Sequence, residues 1–174
     1  MTKDSFDLNK TCEFASFYRG KYATDIYDNQ VYKRLIDTPS GPILASAAAT
    51  GTSSLEITIK SQNSDISAEN FACSQLLRII GADQNPSDFY EFAASDDILK
   101  PLVNLFKGLH IPQTLTVYEG LITAIIGQQI STNVASMLRS LIIELYGVST
   151  NLSLIHISEP TRRTPISYAV FCLK

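Results

Sequence analysis

This sequence of 174 residues contains few of the side chains that bind metals or form disulfides. It has two histidines and three cysteines, and Cys12, Cys73 and Cys172 are far apart without a CxxC spacing. Clustered cysteines would indicate a zinc site, a redox motif or a disulfide framework. The sequence therefore argues against all three and against Cys/His catalysis. Cys73 is interpreted as a core residue, and His110 as a loop residue.

Long apolar runs are missing as well. No segment approaches the roughly 20 apolar residues of a membrane-spanning helix. The start, MTKDSFDLNK, lacks the apolar segment of a signal peptide. We therefore expect a cytoplasmic protein without a membrane partner.

Positive charge is also scarce. There are 14 Lys and Arg residues against 17 Asp and Glu residues, which gives a net charge of −3. Nucleic-acid-binding surfaces are usually basic, so the balance counts against binding by general attraction to phosphates. One segment mixes aromatic and basic residues, which indicates either a nucleic-acid surface or a half-exposed sheet. Its members are Tyr18, Arg19, Lys21, Tyr22, Tyr27, Tyr32 and Lys33.

The hydrophobic content of 45% is enough for a sizeable core, and its pattern divides the chain. Residues 6–60 favour strands. Residues 30–36 mix apolar and charged side chains, Ile43–Ala49 follows a Pro-Ser-Gly-Pro turn, and Leu55–Lys60 alternates strictly. Residues 50–53 can join the last two strands as a hairpin. An antiparallel sheet is the economical interpretation.

From residue 61 the spacing becomes helical. Ser67 is expected to cap a helix that ends near Ile80, with Gly81 as its C-cap. A second helix is expected to begin at Asn85-Pro86 and a third at Asp96-Asp97. The predicted fold class is α+β, with a β-rich region at residues 1–66 that packs on the first helices of a helical region at residues 67–151.

Residues 116–147, TVYEGLITAIIGQQISTNVASMLRSLIIELYG, read as two helices around a polar break. Thr116 begins the first helix, and Glu119 completes a capping box in which its side chain returns to the Thr116 amide. Gly127 is expected to end this helix in a left-handed conformation, and Ser131 to cap the next. Each helix has a wide apolar face. The apolar residues are Val117, Leu121, Ile122, Ile125 and Ile126, then Val134, Met137, Leu138, Leu141, Ile142 and Leu145.

The break contains Gln128 and Gln129, where Gly, Asn or Asp is more usual. One interpretation is a solvated connector. The other is a rigid helix–loop–helix that presents an amide side chain to a ligand.

The string AIIGQQIS, residues 124–131, with Glu119 before it and LYG at 145–147 after it, resembles the DNA-3-methyladenine glycosylase II (AlkA-like) branch of the helix-hairpin-helix DNA glycosylases. Weaker similarity continues upstream through GLHIPQTLTVYEGL and LLRIIGADQNPSDFYEF, so that residues 18–147 are covered. The resemblance implies an N-terminal sheet domain followed by the first helices of an all-α glycosylase domain. It also implies a base-excision repair enzyme that hydrolyses the N-glycosidic bond of alkylated purines such as 3-methyladenine.

In this family the loop enters the DNA, and the residue that matches Gln129 fills the space left by the flipped nucleotide. The resemblance therefore implies that Gln128, Gln129 and Ser131 contact double-stranded DNA with damaged bases. It implies a monomer without a metal or organic cofactor, associated with the nucleoid in a bacterium. Gln129 is then expected to be exposed at the tip of the loop, and Ile130 to turn inward.

Residues 152–174, LSLIHISEPTRRTPISYAVFCLK, resemble a translated sequencing adaptor. We expect this tail not to pack stably on the body, and the native part to break off at residue 151. The family's glycine-rich hairpin and catalytic aspartate are not found in the sequence. No acidic residue matches that aspartate, so no catalytic residue is assigned and the chain alone is expected to be inactive. Asp96, Asp97 and Glu119 are interpreted as helix-start residues.

Two other functions stay open. One is an oxidised-purine DNA glycosylase of the same superfamily. The other is a non-catalytic α+β module that binds DNA or protein. It fits the acidic charge and the missing aspartate, but it gives no reason for AIIGQQIS.

Overall fold

The computed structural model describes residues 6–16, 23–51, 54–61, 65–149 and 155–156, with the backbone alone at residues 16, 148–149 and 155–156. The fold is α+β, as predicted, and these residues form a four-stranded antiparallel sheet, a short β-ribbon and six helices. The elements are α1 (Leu8–Ser16), β1 (Asp25–Asp28), β2 (Val31–Ile36), β3 (Ile43–Ala49), β4 (Leu55–Lys60), α2 (Ile66–Ile79), α3 (Ser87–Ala94), α4 (Leu99–Phe106), α5 (Val117–Ile126), α6 (Thr132–Tyr146), β5 (Val148–Ser149) and β6 (Ile155–His156).

The large sheet is a meander in the order β1-β2-β3-β4. β3 and β4 occupy the predicted ranges, and β2 begins one residue after the predicted start. In the register, Tyr32 of β2 is paired with Ala47 of β3, which is paired with Ile57 of β4. Because side chains alternate along a strand, these three point to one face. That face is the inner side of the sheet.

The core lies between this inner face and the helices α1 and α2. α2 packs across β3, where the small side chains of Ala45 and Ala47 oppose Ala68 and Ala72 of the helix. All four are buried, and so is Leu76 further along α2. Small residues on both elements let the helix approach the sheet closely, so the core is densely packed here.

The helix α1 lies in the segment that the sequence assigned to strands, and that assignment is wrong there. Asp7 Oδ1 accepts a hydrogen bond from the Lys10 amide at 3.0 Å, and Leu8, Thr11 and Cys12 are buried on one face. Nine residues form a marginal helix in isolation. Burial against the sheet stabilises α1, and that tertiary effect outweighs the local strand pattern.

Asp65 caps α2, and the prediction of Ser67 was wrong. Asp65 has extended backbone angles, and its Oδ1 accepts hydrogen bonds from the amides of Ser67 and Ala68 at 3.0 and 3.3 Å. Gly81 follows the helix at φ +73, as predicted for a C-cap. A Cβ there would lie 3.0 Å from the Ile111 carbonyl oxygen, so both conformation and space require glycine.

The starts of α3 and α4 lie near the predicted positions. Asn85 Oδ1 accepts a hydrogen bond from the Ser87 amide at 3.2 Å. Asp96 Oδ1 accepts from the amides of Ile98 and Leu99 at 2.8 and 2.9 Å. The interpretation of Asp96 as a helix-start residue is therefore confirmed.

The predicted lack of packing after residue 151 lies outside the described residues, apart from Ile155–His156. The backbone of that pair is antiparallel to Val148–Ser149. The prediction therefore stays a prediction. Among the helices that the structure describes, none is long and apolar enough to cross a membrane.

Candidate nucleic-acid interface

The loop between α5 and α6 turns more tightly than the sequence predicts. Gly127 ends α5 with right-handed angles, φ −74 and ψ −7, and its amide donates to the Thr123 carbonyl at 3.0 Å. The left-handed residue is Gln129, two positions later, with φ +57. The prediction of a left-handed Gly127 is therefore wrong, because the helical turn continues through Gly127 before the chain reverses.

Gln129 adopts a conformation that residues other than Gly, Asn and Asp rarely adopt. A glutamine there costs about 1–2 kcal/mol relative to right-handed backbone. Its side chain is exposed, as predicted, and so is that of Gln128. Strained backbone conformations cluster at ligand-binding sites, although Asn29 and Gln30 also have positive φ in the β1–β2 turn.

Ser131 lies where the loop enters α6. Its Oγ accepts a hydrogen bond from the Val134 amide at 3.4 Å, so Ser131 caps α6 as predicted. The same hydroxyl keeps its own hydrogen for a ligand oxygen. No lysine or arginine lies between residues 107 and 139, so this stretch of the chain itself offers amide and hydroxyl groups rather than positive charge.

Ile130 does not anchor the loop. Its side chain is 40% exposed, and the prediction that it turns inward is wrong. The apolar faces of both flanking helices are exposed too. Leu121 is 57% and Ile125 61% exposed on α5, and Met137 is 62% exposed on α6. Within the described residues there is no apolar layer into which Ile130 could turn.

Glu119 is the main functional feature that the sequence interpretation missed. The Thr116 Oγ1 accepts from the Glu119 amide at 3.1 Å, which is half of the predicted capping box. The Glu119 carboxylate does not return to the Thr116 amide. It is 5% exposed and forms ion pairs with Arg34 of β2, Nη2 to Oε2 at 2.6 Å, and with Arg139 of α6, Nη2 to Oε1 at 2.9 Å.

Thr24 and Leu115 complete the surroundings of this carboxylate. The Leu115 amide donates to Oε2 at 3.1 Å, and the Thr24 hydroxyl lies 3.3 Å from Oε1. Thr24 Oγ1 also accepts from Arg34 at 2.8 Å. We call Arg34, Glu119, Arg139 and Thr24 the Glu119 cluster. It joins the sheet, α5 and α6 at one point.

The charges of the Glu119 cluster stabilise one another. Burial alone raises the pKa of Glu119, but Arg34 and then Arg139 outweigh it, so the net pKa lies below its ordinary value. Burial lowers the pKa of Arg34, and Glu119 outweighs that effect, so its net pKa is raised. Glu119 is therefore ionised at neutral pH and committed to two cations, which does not suit a general acid or base.

The remaining candidate residues contribute little to a site. Tyr32 is buried with its hydroxyl 2.8 Å from Asp25, and the Tyr27 hydroxyl donates to Asn9 at 2.8 Å. For these two the half-exposed sheet is the better interpretation, whereas residues 17–22 lie outside the described residues. His110 is in a loop, as predicted, but is buried, with Nδ1 2.6 Å from the Gly81 carbonyl oxygen. In the described part of the chain, no three His, Cys, Asp or Glu side chains are placed to hold a metal ion.

Comparison with known proteins supports the resemblance at the level of fold. No protein-family model and no curated protein matches the sequence. Among solved structures, the chain is similar to a 3-methyladenine DNA glycosylase from Archaeoglobus fulgidus, with 26% sequence identity and a TM-score of 0.73. The similarity covers 89% of this chain and 53% of that chain. The chain therefore spans about half the length of that glycosylase.

Proposed function

We propose that this chain is the N-terminal part of a monofunctional DNA glycosylase that hydrolyses the N-glycosidic bond of alkylated purines such as 3-methyladenine. The observation that carries the proposal is the exposed, left-handed Gln129 at the tip of the α5–α6 hairpin. It occurs within AIIGQQIS, in a fold similar to that of a 3-methyladenine DNA glycosylase.

In this proposal the α5–α6 loop enters the DNA at the damaged base. Extruding a base costs a few kcal/mol, and less when the base is damaged and poorly paired. Gln129 fills the vacated stack and offers its amide to the unpaired partner base. Gln128 and Ser131 contact the flanking nucleotides. The scarcity of positive charge near the loop suits base contacts better than phosphate contacts.

The chemical step belongs to residues beyond this sequence. Asp96 caps α4, and Glu119 is committed to two arginines, so neither is free to promote loss of a base. We propose that residues 1–66 form the sheet domain, that residues 67–151 form an incomplete helical domain, and that residues 152–174 are not native. The exposed apolar faces of α4, α5 and α6 support incompleteness, since further helices would cover them.

The proposal is tested with this chain and with a version extended past Asn151 by the natural sequence. On alkylated duplex DNA, this chain should release no base above the uncatalysed rate. The extended version should release 3-methyladenine. Release by this chain that is lost when an acid in residues 1–151 is mutated would overturn the assignment of the chemistry.

The wedge role of Gln129 is tested in the extended version by affinity for a duplex that holds a flipped-base analogue. Gln129→Ala should weaken binding by about 1–3 kcal/mol, the range for a lost stacking and hydrogen-bonding contact. Its thermal midpoint should hardly change. Gln30→Ala is the matched control, because Gln30 is also an exposed glutamine with positive φ, +61, in the β1–β2 turn. If the midpoint drops while affinity holds, Gln129 is structural.

A non-catalytic α+β binding module is the second candidate. The net charge of −3 and the lack of an assigned catalytic acid favour it. It predicts that the extended version binds DNA or a protein partner without releasing any base. An extended enzyme that releases oxidised purines in preference to alkylated ones would instead favour the sister activity.

A further inference from the structure

The α5–α6 hairpin has few buried contacts with the rest of the described chain. On α5 the buried residue is Glu119, and on α6 the buried residues are Ser140 and Ile143. Most apolar side chains of the two helices are exposed. Hydrophobic burial therefore fixes the position of the hairpin only weakly, and the Glu119 cluster becomes the main point of attachment.

Arg34 occupies a position where stability alone would favour an apolar residue. It alternates with Tyr32 and Ile36 on the inner face of β2, and both of these belong to the core. Replacing a buried ion pair by apolar residues is often neutral or stabilising, whereas an ion pair with fixed geometry specifies one arrangement. A guanidinium at this point therefore indicates a requirement for orientation.

The two carboxylate oxygens of Glu119 bind different partners. Oε2 accepts from Arg34 of the sheet and from the Leu115 amide, and Oε1 accepts from Arg139 of α6. Three elements thus bind one group that is 5% exposed. Rotation of the hairpin relative to the sheet would lengthen the bond between Arg34 and Oε2, and a shift of α6 relative to α5 would lengthen the bond between Arg139 and Oε1.

We infer that Glu119 is a positioning residue, which fixes the angle of the α5–α6 hairpin on the sheet and thereby the place of the Gln128–Ser131 loop. Glu119 lies in the first turn of α5, and Gln129 lies ten residues later, roughly 15 Å along the helix axis. A rotation of the hairpin about Glu119 therefore displaces Gln129 in proportion to that distance. The link to DNA rests on the proposed function, but the link to loop position does not.

The test measures loop position directly, without DNA. Nitroxide labels are placed at Gln129→Cys and Thr58→Cys, both exposed, after Cys12 and Cys73 are replaced by alanine and Cys172 by serine. Pulsed electron resonance gives the distance distribution between the labels. Glu119→Gln should shift and broaden the distribution under conditions where circular dichroism shows a folded protein. Glu119→Asp keeps the carboxylate and should restore much of the narrow distribution.

Two more variants keep the test decisive. Arg139→Met removes the hydrogen bonds of α6 to Glu119 and to Thr24, at a residue that is 33% exposed, and it should broaden the distribution even if Glu119→Gln fails to fold. Glu144→Gln is the control, because Glu144 is an exposed carboxylate on the same helix. Unchanged distances in both Glu119→Gln and Arg139→Met, or equal broadening in Glu144→Gln, would overturn the inference.

Binding to an abasic duplex separates this inference from the proposed function. If distances broaden in Glu119→Gln and affinity falls while Glu144→Gln binds normally, both proposals are supported. If the distances broaden but neither this chain nor the extended version binds the duplex, the positioning role stands and the glycosylase proposal fails.

Discussion

Two parts of the molecule bury their apolar side chains to very different extents. We call α1, β1–β4 and α2 the sheet half, and α3–α6 the hairpin half. Residues of β2 and β3 and of the helices α1 and α2 form one buried core. In contrast, α4 has no buried residue, and Val117 of α5 is 80% exposed. The difference is that the apolar side chains of the first half that form this core have partners within the described chain, although Ile66 and Phe71 of α2 are exposed.

This comparison shows what an apolar pattern means. It identifies the face that an element would bury, but it does not establish that the covering element is in the same sequence. In the sheet half, α2 supplies the cover for β3. In the hairpin half, one polar cluster performs the attachment that a core would otherwise provide. The two halves should therefore respond differently to the same kind of mutation.

The largest expected difference comes from truncating a leucine in each half. Leu76→Ala should lower the free energy of unfolding by about 3–5 kcal/mol, because the side chain is fully buried and leaves a cavity. Leu121→Ala should change it by about 0.5 kcal/mol or less, because Leu121 is 57% exposed. Urea denaturation measures both. Equal losses that depend on protein concentration would show that self-association covers the hairpin face.

Glu119→Gln should lower the free energy of unfolding by about 2–3 kcal/mol, less than a wholly orphaned buried charge costs. Arg34 would keep a hydrogen bond to Thr24 at 2.8 Å and an ion pair with Asp25 at 4.0 Å. The exposed Glu144→Gln should stay within about 0.5 kcal/mol of the parent. Urea denaturation of the parent, Glu119→Gln and Glu144→Gln measures these changes in the free energy of unfolding. A loss below that of Glu144→Gln would mean that the hairpin is held by other contacts.

The pH dependence of stability should differ between the parent and Glu119→Gln. The pKa of Glu119 is lowered in the folded state from its ordinary value of 4.5. The unfolded chain therefore binds the proton first, and the stabilisation is lost as pH falls from about 4.5 through the folded pKa. Glu119→Gln should lose less stability than the parent over that acid range. Parallel pH profiles for the two proteins would contradict the assigned charge state.

The smallest expected effect concerns the two left-handed glutamines, one in each half. Gln129→Gly and Gln30→Gly should each stabilise the protein by at most about 1 kcal/mol, since glycine removes the steric cost of positive φ but adds freedom to the unfolded chain. The thermal midpoints of Gln129→Gly, Gln30→Gly and the parent, measured under the same conditions, would show this stabilisation. A clear loss at Gln129 alone would mean that its side chain holds the loop through contacts of its own.

Features set by neighbouring residues were predictable from the sequence. The alternation of Leu55–Lys60 and the turn before Ile43–Ala49 placed β3 and β4 at their observed bounds. Thr116 and Ser131 were correctly predicted as helix caps, and Gln129 as exposed. The strands and the caps depend on the period of one element or on hydrogen bonds within about four residues. The exposure of Gln129 was expected from the family resemblance instead.

The features that failed depend on distant residues or on missing cover. The spacing of Thr116 and Glu119 predicted a capping box. The actual partner of the carboxylate, Arg34, lies 85 positions earlier, and no local pattern shows that it will reach Glu119. Ile130 was expected to turn inward as the anchor of a loop whose Gln129 enters the DNA, but its side chain is 40% exposed. Gly127 was expected to be left-handed because glycine adopts positive φ most easily, whereas the turn of α5 continues through Gly127 and the left-handed residue is Gln129.

The separation of 85 residues between Arg34 and Glu119 also orders the events of folding. Closing so long a loop costs entropy that other contacts must first offset. During synthesis, which proceeds from the N-terminus, the core residues of the sheet, α1 and α2 are all made before Glu119. The sheet half can therefore fold first with the Arg34 guanidinium still hydrated, and docking of the hairpin becomes a late step that removes water from Arg34.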